Sequence, residues 1–87
     1  MTFGLAYRYN HRMDLDTYLA KIETASSLSK RTGIIQVLLS QWRKKVRPVP
    51  FDKCVIIEKT TNGIVTRKDL RPDDWFVIWP ELSETDN

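Results

Sequence analysis

The sequence predicts an all-α domain of five short helices, and three observations lead there. Apolar residues recur at the three- and four-residue spacing of a buried helix face across residues 13–57. Glycine, proline and an Asn-Gly pair interrupt that pattern at short intervals. Residues with N-cap chemistry, Asp14, Thr24 and Thr66, stand just before helical segments.

Taken in order, Asp14 caps a first helix running to about residue 23. Its buried face is Leu15, Tyr18, Leu19 and Ile22 at i, i+3, i+4 and i+7. Thr24 caps a second helix, residues 25–31, anchored by Leu28, and Gly33 follows where a left-handed turn would end it. In a third helix, residues 36–44, Leu38, Leu39 and Trp42 form one stripe, while Gln36, Val37, Ser40, Gln41 and Lys44 fall mainly on the opposite side. Pro48 and Pro50 forbid continuation. Pro50 or Phe51 then opens a fourth helix with Phe51, Cys54 and Ile57 facing inward, Val55 as a further inward candidate, and Asn62-Gly63 as its stop. Thr66 caps a single turn, residues 67–70, with Asp69 at the capping-box position and Pro72 beyond it.

Both ends read differently. Trp75-Phe76-Val77-Ile78-Trp79 is rich in strand formers, and Phe3, Leu5, Tyr7 and Tyr9 alternate along residues 1–12, so short terminal β-strands are expected there. Those two strands would pair with each other or across a dimer. The alternative for residues 1–12 is an extension ahead of the domain. The chain thus divides into residues 1–12, a central domain at 13–72, and an aromatic then acidic tail at 73–87.

A chain of 87 residues holds one small domain, which excludes a second, catalytic one and leaves little volume for a deep substrate cavity. No apolar run approaches the roughly 18 residues of a membrane span. Residues 1–12 lack the apolar stretch of a secretory signal, so the expected location is the cytoplasm. Cys54 is the single cysteine and His11 the single histidine, too few for an internal disulfide or a zinc site; no cofactor is expected. With no histidine in helical reach, Cys54 reads as a buried filler and not a nucleophile. Asp73-Asp74 has no second carboxylate pair or pocket to work with, and nothing else suggests an enzyme.

The formal net charge of +3 conceals a strong asymmetry. Residues 24–51 carry Lys30, Arg31, Arg43, Lys44, Lys45 and Arg47 and no acid, whereas residues 69–87 carry six acids against Arg71 alone. Ordinary surfaces intersperse both signs, so an acid-free block of this length points to a polyanion. A short helix, a turn with Gly33 and a second amphipathic helix inside that block is the pattern of a helix-turn-helix. Leu28 would brace Leu39 and Trp42, making Trp42 core and not a stacking platform. The second helix would lie in the major groove with Gln36, Val37, Ser40, Gln41 and Lys44 toward base edges. Thr24, Lys30, Arg31, Arg43, Lys45 and Arg47 would meet phosphates.

Residues 13–75 resemble the small phage and prophage regulators of the Cro and YdaS-like type, within the lambda-repressor-like helix-turn-helix class. The matching residues are Met13-Asp14-Leu15, Tyr18-Leu19, Leu28, Gly33, Leu39-Ser40-Gln41-Trp42-Arg43, Arg47-Pro48-Val49-Pro50, Cys54, Ile57-Glu58, Gly63, Val65-Thr66 and Leu70-Arg71-Pro72-Asp73. The resemblance implies a five-helix DNA-binding domain acting as a dimeric repressor on a double-stranded operator in a bacterial cell, associated with the nucleoid through that operator. The alternative it implies is an antitoxin-like regulator of a prophage gene pair, in which the acidic tail, residues 73–87, would cover a basic toxin partner. Three positions depart from the family pattern: Ala25 stands where Gln is common, Ile35 where Ser usually caps the recognition helix, and Lys45 where Gly usually follows it. The lost cap costs about 1 kcal/mol. Trp75, Phe76, Ile78 and Trp79 are candidates either for closing the core or for a homodimer or partner interface.

Overall fold

The computed structural model describes residues 13–85. Among them the chain forms seven helices: α1 Leu15–Lys21, α2 Ala25–Thr32, α3 Gln36–Arg43, α4 Phe51–Thr60, α5 Arg67–Leu70, α6 Trp75–Ile78 and α7 Glu81–Thr85. The capping residues act as the sequence predicts. Asp14 accepts the Thr17 N–H at 2.9 Å, and Thr24 accepts that of Ser27 at 3.1 Å. At α5, Thr66 Oγ1 takes the Asp69 N–H at 3.2 Å while Asp69 Oδ2 takes the Thr66 N–H at 2.9 Å, a reciprocal capping box.

One apolar core joins the first five helices. Leu15, Tyr18 and Leu19 of α1 meet Leu28 of α2, Leu39 and Trp42 of α3, and Cys54 and Ile57 of α4, with Ile34, Val49 and Val65 filling from the connections. Cys54 is fully buried, and burial pushes its thiol up to about 12, so it packs as a small apolar group. α4 ends in a left-handed turn at Asn62 (φ 55°), where the Gly63 N–H bonds Glu58 O at 2.9 Å and the Asn62 N–H bonds Lys59 O at 3.2 Å. The Met13 N–H reaches Ile64 O at 2.9 Å, tying the start of the described chain to this turn.

Four expectations are corrected. Ile22, expected on the buried face of α1, is the C-cap of that helix and is 54% exposed, because the helix ends at Lys21 and the buried stripe stops at Leu19. Residues 75–79 form no strand: Trp75 N–H bonds Arg71 O at 3.0 Å and Trp79 N–H bonds Trp75 O at 2.7 Å, so local helical bonding satisfies a backbone that has no strand to pair with among the described residues. The helix count rises from five to seven because α6 and α7 are short helical turns in the segment expected to be strand and tail. On α4, Phe51 and Val55 face solvent and not the core; the buried stripe is Cys54 and Ile57. The alternating segment at residues 1–12 lies outside the described residues.

Thr61 is the one buried polar side chain of the described residues. Its hydroxyl donates to Ile57 O at 2.8 Å and accepts the buried Val65 N–H at 3.2 Å. Thr61→Val keeps the shape but strands that N–H, so urea denaturation should show a loss of about 1–3 kcal/mol. An unchanged midpoint would show that the hydroxyl does not hold the turn.

Candidate nucleic-acid interface

α2, its turn and α3 are held in one geometry by burial and by short hydrogen bonds. Leu28 and Leu39 are fully buried and Trp42 nearly so, which fixes α3 across α2. Gly33 adopts φ 79°, and a Cβ there would meet nothing within 4 Å, so glycine is needed for the backbone angle and not for space. Ser29 Oγ donates to Ile34 O at 2.5 Å; Thr32 Oγ1 donates to Leu28 O at 2.8 Å and accepts the Ile34 N–H at 3.1 Å. The turn therefore satisfies its own polar groups while Ile34 drops into the core.

The ends of α3 bear out the readings of Ile35 and Lys45. Ile35 is the N-cap and makes no side-chain cap bond. At the other end the Val46 N–H bonds Gln41 O and the Lys45 N–H bonds Trp42 O, both at 3.0 Å, in a Schellman-type stop whose left-handed position is Lys45 (φ 60°). A lysine carries there the strain that glycine would avoid.

Of the polar-face residues, Gln36, Val37 and Lys44 are exposed and Ser40 half-buried. Gln41 is set differently: it is half-buried, and its Oε1 is enclosed without a hydrogen-bond partner. Thr24, Lys30, Lys45 and Arg47 are exposed. Arg31 and Arg43 are held by acids from outside the acid-free block. Arg31 pairs Nε with Glu23 Oε2 and Nη2 with Glu23 Oε1, each at 2.8 Å, and Arg43 Nε lies 2.8 Å from Asp16 Oδ1. Lys30, Lys44, Lys45 and Arg47 make no ion pair with the described residues.

Glu23 is a hub that local spacing does not reveal. Besides Arg31 it receives Tyr18 Oη at 2.7 Å and Ser27 Oγ at 2.6 Å, joining the end of α1 to α2. The Arg31 guanidinium, opposed by burial and helped by Ser27 and Tyr18, holds its carboxyl down at about 2, while burial and Glu23 push Tyr18 up to about 12.

The aromatic segment is tied to the domain by cations of α5 and the residues around it. Arg67 lies 5.3 Å from the Trp79 ring, Lys68 4.4 Å from Trp75, and Arg71 4.9 Å from Phe51, whose ring meets Trp79 edge-on at 6.1 Å. Arg71 also donates to Val49 O at 2.6 Å and to both Asp74 oxygens. Trp79 packs on the core, Trp75 and Ile78 are half-buried, and Phe76 and Val77 are 51% and 72% exposed. A cleft of about 440 Å³ is lined by Asp14, Asp16, Trp42, Arg43, Lys45 and Arg71 among others; two of its cations are paired within the fold, Arg43 on Asp16 and Arg71 on Asp74. No metal-binding cluster occurs among the described residues, and no helix of them is long and apolar enough to cross a membrane.

Two helices set across a glycine turn, with a polar exposed face on the second, define a helix-turn-helix domain. A family model described as "Bacterial toxin YdaS" matches residues 17–78, and the chain belongs to that family. Among curated proteins, the Escherichia coli (strain K12) protein named "Putative transcriptional regulator YdaS" is 39% identical over 54 residues, covering 61% of this chain and 55% of that protein. The chain thus matches about half the length of that relative.

The Glu23 hub makes a pH-dependent contribution. Its folded-state pKa lies below the ordinary value of 4.5, so the stability it adds is present above that value and is lost as pH falls toward about 2. The stability gap between the wild type and Glu23→Gln should be widest near neutrality and close across that window in thermal melts. A gap independent of pH would mean the carboxylate charge is not what counts.

Proposed function

We propose that the protein is a sequence-specific DNA-binding transcriptional regulator acting as a dimer on a short operator in the bacterial cytoplasm, most simply as a Cro-type repressor. The observation that carries this reading is the set of unpaired cations. Among the described residues, Arg31 and Arg43 are paired with acids, whereas Lys30, Lys44, Lys45 and Arg47 make no ion pair on α2, at the end of α3 and in the loop beyond. In sequence those four lie on either side of the exposed Gln36 and Val37 and the half-buried Ser40. A polar helix face with a cationic border suits base edges in the major groove and phosphates at its rim.

In this reading Gln36, Val37, Ser40 and Lys44 face base edges, and Gln41 joins them by turning its enclosed amide outward. Lys30, Lys45 and Arg47 meet phosphates, with Thr24 at the start of α2. Arg31 and Arg43 present the guanidinium edges that Glu23 and Asp16 leave uncovered. The name of the Escherichia coli relative, a transcriptional regulator, supports the same assignment. The exposed Phe76 and Val77, beside Trp75, Ile78 and Trp79, supply the apolar surface for pairing two copies. The antitoxin alternative asks the tail to cover a partner, and the packing of Trp79 on the core together with the Arg71–Asp74 pair weighs against a tail free to do so.

Binding should be strongly salt-dependent. With roughly 4 to 6 phosphates neutralised per subunit, the log-log slope for the dimer should be on the order of −7 to −11. A slope near zero in fluorescence anisotropy would sink the proposal. Gln36→Ala should reduce discrimination between selected and random DNA by about 1–3 kcal/mol, whereas Lys45→Ala should weaken both alike. Equal losses on both DNAs for the Gln36 variant would place the reading face elsewhere.

A further inference from the structure

Ile35 and Val37 stand on either side of Gln36 at the start of α3, and both lie largely in solvent, 59% and 55% exposed. Neither position suits its residue. Ile35 fills the N-cap without capping, where a serine, threonine or aspartate would bond the first turn, and it gains no burial in exchange. Val37, stiff at χ1, sits in an exposed first turn that favours other residues. Local rules broken together without a compensating gain inside the fold mark a surface built for something outside it.

Single exposed apolar residues are ordinary on a protein surface. This pair differs in its setting, because it brackets an exposed amide on a helix bordered in sequence by Lys30, Lys44, Lys45 and Arg47, which make no ion pair among the described residues. The electrostatic complement of that surface is a polyanion. On a DNA duplex, the apolar group that base edges present in the major groove is the 5-methyl of thymine, and the group that pairs with a glutamine amide is the N6/N7 edge of adenine.

We infer that Ile35 and Val37 form an apolar clip for thymine 5-methyl groups beside an adenine read by Gln36, which makes the start of α3 selective for A·T pairs. The inference rests on the DNA-binding reading and deepens it: Ile35 becomes a specificity-determining residue, and the missing cap is a consequence of that role.

The test starts from duplexes selected from random sequence by the full 87-residue chain. Each thymine of the selected site is replaced in turn by deoxyuridine, which removes the methyl group and leaves the hydrogen-bonding edge intact. One or two replacements per half-site should weaken binding about three- to fivefold, the worth of burying one methyl group, with no effect elsewhere. Ile35→Ser and Val37→Ala should bind thymine and uracil sites alike. The serine also supplies a cap, so an unchanged or raised melting temperature separates lost discrimination from lost fold. Indifference to uracil at every position, or variants that still discriminate, would overturn the clip while leaving sequence-specific DNA binding standing. Failure to select any sequence would overturn the DNA-binding reading itself.

Discussion

The fold depends on an eight-residue helix that cannot stand by itself. Isolated helices shorter than about 12–15 residues are marginal in water, so α3 exists because Leu39 and Trp42 are buried against Leu28 of α2. That burial settles which side of α3 faces outward. The Gly33 turn then fixes where α3 begins, and Ser29 and Thr32 consume the polar groups of the turn so that Ile34 can enter the core. The core residues of α1 and the Arg43–Asp16 bonds hold the same face in place from the other side.

The electrostatics follow from the same packing. An acid-free segment along the chain is not an acid-free surface in space, because packing α1 beside α2 and α3 brings Glu23 to Arg31 and Asp16 to Arg43. The two pairs differ in kind. Glu23 is mostly buried and receives four hydrogen bonds, so it stiffens the α1–α2 junction. Asp16 is exposed, and its pair with Arg43 is of the sort that contributes little to stability. The cations left over form no salt bridge with an acid of the described residues, although the charge of Lys45 adds to the Thr17 hydrogen bonds that hold the Asp14 carboxyl down.

What was legible in the sequence was local or periodic chemistry. Asp14, Thr24 and the Thr66–Asp69 box announce helix starts through side chains that bond backbone three residues on, and Gly33 and Asn62-Gly63 announce stops through backbone angles. Trp42 and Cys54 were readable as core from spacing or from the lack of chemical partners. The 75–79 segment misled because β-branched and aromatic residues favour strands only where a ladder partner exists; here Arg71 and Asp74 offer helical acceptors instead. Phe51 and Val55 sit at the right period for the core, yet their side of α4 faces outward, where Arg71 and Trp79 meet the Phe51 ring. The Asp16–Arg43 pair spans 27 positions and carries no local signal at all.

Both ends of α3 run against the rules that govern helix ends. At the start an isoleucine replaces a cap, and at the finish a lysine holds the left-handed position, each at a cost of about 1 kcal/mol. By contrast α1, α2 and α5 are capped by side chains and α2 ends on glycine, while α4 starts uncapped on Pro50 and ends on Asn62, a residue that tolerates the left-handed angle. The departures at Ile35 and Lys45 are hard to assign to packing, because both residues are exposed. They are accounted for if the free protein tolerates a less stable α3 in exchange for contacts formed only on DNA, an apolar one at the start and a cationic one at the end. A helix that gives up stability at both ends then recovers it on binding.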